Sequence, residues 1–186
     1  LGDIIGYGPN PNDCLDVIMK TCRWNLMGNH EDSHLRIRAG EPLHPEDVSG
    51  YARLCERSPV PIATGEAESL TPDFKRLLEC GVKFIQPDPG RCGISTMVEV
   101  GRLAHRLHRK VVNHSFKSGI TIAASLHGLA AAPHGEVFEY CMSDSPLRHD
   151  LTHEKFKVID GYVHIPEGPG LGVTIDKEVV EKYRIT

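Results

Sequence analysis

Short β-prone runs that end in a polar residue alternate with helix-forming stretches along most of this chain, and that rhythm limits its fold more than any other feature. The strand candidates are Leu1–Ile5, Trp24–Met27, Pro61–Thr64, Lys83–Gln86, Lys110–Asn113 and Glu136–Phe138. Between them lie helical candidates over Asn12–Thr21, Pro45–Arg57, Pro72–Cys80, Ser95–Leu107 and Gly119–Ala131. Buried strands that alternate with amphipathic helices argue for parallel βαβ units, and so for an α/β fold. Asn10 or Asn12 with Pro11 suits one helix start, and Thr71-Pro72-Asp73 another. The tail differs: Val158–His164 reads as a hairpin, Pro166–Gly172 as a Gly/Pro loop and Lys177–Arg184 as a short last helix.

With 186 residues, 40% hydrophobic and 25% charged, the chain can build one core and a small appendage. A net charge of −4 gives no electrostatic reason to expect nucleic acid or an anionic membrane as a partner. Arg102, Arg106, Arg109 and Lys110 cluster, but on an amphipathic helix that reads as a solvated face. The six cysteines are scattered without a paired spacing, so they are expected to be reduced thiols, most of them buried, in a cytoplasmic protein. Ile120–Ala132, the longest apolar run, carries His127 and is too short to span a bilayer; no signal peptide is expected.

Two sets of motifs carry chemistry. The first is Gly2-Asp3, followed by Gly28-Asn29-His30-Glu31. It resembles the calcineurin-like metallophosphoesterases, in which a bridging carboxylate and an amide oxygen hold two cations beside a His. The resemblance implies that Asp3 bridges, Asn29 ligates and His30 serves as the acid. Read from the residues alone, Asp3 and His30 are polar groups at strand ends bonded to solvent or local backbone.

The second set is longer. Glu41-Pro42-Leu43, Gly65-Glu66, Pro87-Asp88-Pro89, Asn113-His114-Ser115 and Phe138-Glu139-Tyr140 follow one another at barrel-like spacing, and Pro166-Glu167-Gly168-Pro169-Gly170-Leu171-Gly172 closes the pattern. These motifs resemble the C-terminal half-barrel of the enolase superfamily, in the mandelate racemase and muconate lactonizing enzyme group, as in its acid-sugar dehydratases. The resemblance implies parallel (β/α) units forming a partial or rebuilt TIM-like barrel. It implies Mg²⁺-dependent abstraction of a proton α to a carboxylate, with an acid sugar as substrate. Glu66 is then a metal ligand, His114 a general base, Asp88 its hydrogen-bond partner and Glu139 a donor to the substrate carboxylate. Lys117 lies where it is either a substrate contact or a solvated lysine. His44, His105, His108, His127, His134 and His149 carry no such support and read as surface or locally bonded residues.

Gly40 stands where that pattern has its first acidic residue, so the resemblance implies an impaired Mg²⁺ site; Cys92-Gly93 stands where it has two glycines, a difference expected to tilt Asp88 away from His114. Gly128, inside an apolar helix, costs about 1 kcal/mol relative to Ala. The change of pattern divides the chain into 1–39, a βαβ fragment, and 40–186, the half-barrel, joined near residues 31–39. A chimera is the implied origin. Open sheet edges would favour a homo-oligomer. Two other functions stay open on the sequence: a non-catalytic (β/α) scaffold and a metal-dependent phosphoesterase.

Overall fold

The computed structural model describes Lys20 and residues 47–185. Asp3, Asn29, His30, Gly40 and Glu41, with the first two strand candidates and all but one residue of the first helical candidate, lie outside the described residues.

Within them, helices and strands alternate as the sequence rhythm requires. The order is α1 (Val48–Arg57), β1 (Ala63–Thr64), α2 (Thr71–Glu79), β2 (Phe84–Ile85), α3 (Pro89–Cys92), α4 (Ile94–Arg106), β3 (Lys110–Val111) and α5 (Gly119–Ala131). α6 (Pro146–His149), β4 (Val158–Ile159), β5 (Tyr162–Val163) and α7 (Lys177–Lys182) follow. β1, β2 and β3 form a parallel sheet in that order, with Ala63 opposite Phe84 opposite Lys110 and Thr64 opposite Ile85 opposite Val111. Backbone bonds carry the ladder past the strand ends: Gln86 N donates to Thr64 O at 2.9 Å, Val112 N to Ile85 O at 3.0 Å and His114 N to Pro87 O at 3.1 Å.

The helices cover this sheet through apolar stripes of helical period. α2 buries Phe74, Leu77 and Leu78, and α4 buries Met97, Val100, Gly101 and Ala104. Together with Ile62, Val82, Ile85, Val111 and Leu129 they form one core. α1 is capped by Asp47, whose Oδ1 accepts from Gly50 N at 2.9 Å, and it is tied to β1 by a buried bond of 2.9 Å between the Tyr51 and Thr64 hydroxyls. α2 starts at the expected place but not by a side-chain cap; the Thr71 hydroxyl instead donates to Glu99 Oε2 at 2.9 Å, joining α2 to α4.

α5 is buried on most of its surface, from Gly119 to Leu129, which requires its neighbour to come close. Two glycines permit it. A Cβ on Gly128 would lie 2.5 Å from Met97 Sδ, and a Cβ on Gly101 would lie 2.5 Å from Ala132 Cβ. The glycine that looks costly inside α5 is thus the residue that lets α4 and α5 pack.

One strand expected from the sequence does not form. Residues 136–138 are irregular, because this segment is held beside β3 by a side chain rather than by a backbone ladder. Asn113 Nδ2 donates to Glu139 O at 3.1 Å, and Glu139 N donates to Asn113 Oδ1 at 2.8 Å. The tail hairpin does form: β4 and β5 are antiparallel, joined by Asp160 and Gly161 at φ 51° and 82°, the left-handed pair that a two-residue turn demands. Among the described residues no helix is long and apolar enough to cross a membrane.

Candidate active site

Three parallel strands place three side chains along one edge of the sheet. Glu66 follows the C-terminal end of β1 by two residues; Asp88 and His114 follow the ends of β2 and β3 by three. Because the strands are in register, these positions are neighbours on the edge where (β/α) barrels carry their sites. Gly65, at φ +119°, turns the chain there, and a Cβ on it would lie 2.9 Å from Ile85 Cδ1.

Asp88 is the fixed point. Its side chain is 2% exposed, and as the N-cap of α3 its Oδ1 accepts from Gly90 N at 2.7 Å. Its Oδ2 meets two groups, His114 Nδ1 at 3.1 Å and Lys117 Nζ at 3.1 Å. Gly90 leaves room for this pair, since a Cβ there would stand 3.0 Å from Asp88 Oδ1 and 3.3 Å from Lys117 Nζ. Burial pushes the Asp88 carboxyl up, but the hydrogen bonds from His114, Lys117 and Gly90 outweigh it and hold the group below the ordinary carboxylate range.

His114 is quarter-exposed on its side chain, and its ring stacks on Phe116 with centroids 4.7 Å apart. Burial disfavours the imidazolium, yet the bond to Asp88 and the negative charges of Glu139, Glu66 and Asp88 together raise its pKa above the usual value. An ionised Asp88 only accepts, so neutral His114 must carry its proton on Nδ1, which leaves the Nε2 lone pair free. That is the arrangement of an imidazole base aimed away from its supporting carboxylate.

The structure therefore joins Asp88 to His114 and brings the charges of Glu66 and Glu139 to bear on the same imidazole. Lys117, left open by the sequence, contacts Asp88 through a pairing across 29 positions that no local spacing announces. Cys92-Gly93 does not separate Asp88 from His114. Of the other histidines, His134 pairs locally with Glu136 at 3.4 Å and His105 lies against the His134 ring, whereas His127, expected to be surface or locally bonded, pairs its ring with Leu171 O at 3.2 Å across 44 positions and so ties α5 to the Gly/Pro loop of the tail. Of the four basic residues expected on one solvated helical face, Arg102 and Arg106 are exposed on α4, whereas Arg109 and Lys110 lie beyond its end, Arg109 partly buried and Lys110 exposed on β3.

A Mg²⁺ ion is gripped when several anionic oxygens replace its waters. Among the described residues no group of three or more His, Cys, Asp or Glu side chains stands close enough to hold a metal ion. Both oxygens of Asp88 are already engaged, so Glu66 is the strand-end carboxylate left to contribute. The described residues alone do not complete such a site.

The model of the family described as "Enolase C-terminal domain-like" matches residues 39–179. The chain belongs to the enolase C-terminal domain-like family. A D-galactarolactone cycloisomerase of Agrobacterium fabrum (strain C58 / ATCC 33970) is 31% identical over 155 residues, which cover 78% of this chain and 41% of that protein. A D-galactonate dehydratase of Ralstonia pickettii (strain 12J) is 32% identical over 148 residues, covering 75% and 39%. The crystal structure of a member of the enolase superfamily from Polaromonas sp. JS666 superposes with a TM-score of 0.73 at 29% identity, covering 93% of this chain and 43% of that one. These relatives are acid-sugar dehydratases and cycloisomerases, and this enolase C-terminal domain-like chain has a TIM-barrel-like α/β fold with parallel strands. The chain spans 41% of the length of the first of these curated relatives and 39% of the second. Enolase-superfamily members generally use Mg²⁺.

Proposed function

We propose that this chain supplies the base side of a Mg²⁺-dependent abstraction of the proton α to the carboxylate of an acid sugar, of the dehydratase or racemase type. The observation that carries the reading is the 3.1 Å bond between buried Asp88 and His114 at the C-terminal strand edge. His114 Nε2 takes the proton. Asp88 holds the ring in the required tautomer and stabilises the imidazolium that forms. In a dehydratase the same imidazolium then returns its proton to the departing β-hydroxyl. Glu139, whose backbone is pinned by Asn113, takes up a proton when the substrate carboxylate docks beside it, and in that protonated form donates a hydrogen bond to the carboxylate as charge builds there. Lys117, half-exposed and anchored on Asp88, is the cation at this edge that an anionic sugar acid would meet. Bound Mg²⁺ would supply the positive charge that stabilises the developing anion, with Glu66 as the ligand this chain offers from the described residues.

The test is exchange of the substrate α-proton. The chain is incubated in D₂O with Mg²⁺ and a panel of acid sugars, and deuterium at Cα is followed by NMR. Incorporation lost in His114→Ala and retained in Asp3→Ala is the expected result. Incorporation that survives in His114→Ala refutes the base assignment.

A further inference from the structure

A cavity of about 370 Å³ opens where Ile122 of α5 and Tyr140 face α6 and the chain that follows it. None of Glu66, Asp88, His114, Lys117 or Glu139 lines it. Its charge is lopsided. Arg148, Lys155 and Lys157 line it against a single carboxylate, Asp150.

Arg148 is the residue that sets this cavity apart. It is 8% exposed, yet among the described residues it takes part in no ion pair. Its guanidinium is held in place all the same. Cζ lies 4.8 Å from the centroid of the Tyr140 ring, and Nη1 donates to Ser143 O at 3.2 Å and to His149 Nε2 at 2.8 Å. Those bonds occupy one end of the group. Nε is buried without a partner, and neither bond uses Nη2. Nε and Nη2 form the edge through which an arginine can grip two oxygens of one anion. A buried cation with that edge open is unfavourable until an anion completes it.

The walls are fastened without any ligand. Tyr140 Oη donates to Phe156 O at 2.5 Å, and Lys155 Nζ donates to Thr152 O at 2.9 Å and to His149 O. Lys155 is thereby tied down. Lys157 is exposed and, among the described residues, makes no hydrogen bond or ion pair, so its ammonium is free to turn toward an anion.

We propose that this cavity is an anion site for the phosphate group of a small phosphomonoester, with Arg148 Nε and Nη2 as the fork and Lys157 as the second cation. Three cations against one carboxylate suit a dianion better than a singly charged carboxylate. A lone oxyanion would leave part of the volume empty, and Tyr140 and Phe156 offer the carbon part of an ester an apolar wall. The site shares no lining residue with the Asp88–His114 pair, so it does not depend on the proton-abstraction reading.

Calorimetric titration of the whole chain at low ionic strength, without Mg²⁺, tests it. The ligands are inorganic phosphate, glycerol 3-phosphate and, as a monoanion, acetate. Glycerol 3-phosphate should bind at least as tightly as inorganic phosphate, and both more tightly than acetate. Arg148→Lys keeps the charge and removes the fork, and should weaken both phosphates about tenfold or more. Lys157→Gln, at an exposed position that the fold does not depend on, should weaken both about threefold. Lys117→Gln should change neither. Phosphate binding no tighter than acetate would overturn the proposal. So would unchanged binding in Lys157→Gln or in a folded Arg148→Lys, or loss of binding in Lys117→Gln, which would put the anion at the strand ends. Inorganic phosphate that binds where glycerol 3-phosphate does not would overturn the ester.

Discussion

At the scale of single residues, the Asp88–His114–Lys117 cluster sets the chemistry and its dependence on pH. Asp88 Oδ2 faces an imidazole and an ammonium at the same 3.1 Å, so the two cations compete for one oxygen. Lys117→Gln should raise the His114 pKa further, because the imidazolium then has that oxygen to itself. Asp88→Asn should lower it, because burial remains while the carboxylate charge is gone. NMR titration of the His114 ring protons checks both directions; no movement in either variant would contradict the shared-oxygen account. The sign for stability follows from the same shifts. A His whose pKa is higher folded than unfolded stabilises the fold below its unfolded pKa, near 6.5, and that contribution fades as pH rises through the folded value. Asp88, shifted the other way, contributes above its unfolded pKa and loses the contribution as pH falls through its folded value. His114→Ala should therefore lower the urea midpoint more at pH 5.5 than at pH 8.5. An equal loss at both would contradict the pairing.

At the scale of elements, the site depends on how closely α4 and α5 lie and on how the segment after α5 is fastened. A methyl group at Gly101 meets Ala132 Cβ at 2.5 Å, and neither atom can turn away. Gly101→Ala should cost about 1–3 kcal/mol through overpacking, less up to about 1 kcal/mol gained in helix propensity, and a lowered melting temperature reads it. The equivalent change at Gly128 meets the Met97 side chain, which has rotamers to shift into, so its loss should be smaller. Asn113 holds the Glu139 backbone by both faces of one amide. Asn113→Ala leaves those two backbone groups without that partner. Faster amide exchange confined to residues around Glu139 is the expected outcome, and unchanged exchange there would mean that other contacts fix the segment. The sequence could not announce this arrangement, because an amide replacing a strand ladder leaves no periodicity. It also gave no sign of α3 and α6, which are too short to show a helical pattern.

For the molecule as a whole, the legible part was the alternation: β1 to β3, α1 and α5 fall within the runs read from the sequence, and α2 and α4 overlap theirs, each starting one residue earlier. Asp88 and His114 were legible through the motifs that surround them, whereas the Lys117 contact depends on how two βα units meet and had no spacing to betray it. Mg²⁺ affinity belongs to this scale too, since it needs oxygens from several units. Glu66→Gln should weaken Mg²⁺ binding, followed calorimetrically, more than Glu139→Gln does; the reverse order would move the metal away from β1. The central claim is that the parallel sheet brings residues 26 positions apart into a working carboxylate–imidazole pair. The nitrogen-15 spectrum of His114, taken well above its raised pKa, tests it directly. The account predicts a ring protonated on Nδ1 with Nε2 bare, and a ring protonated on Nε2 would contradict it.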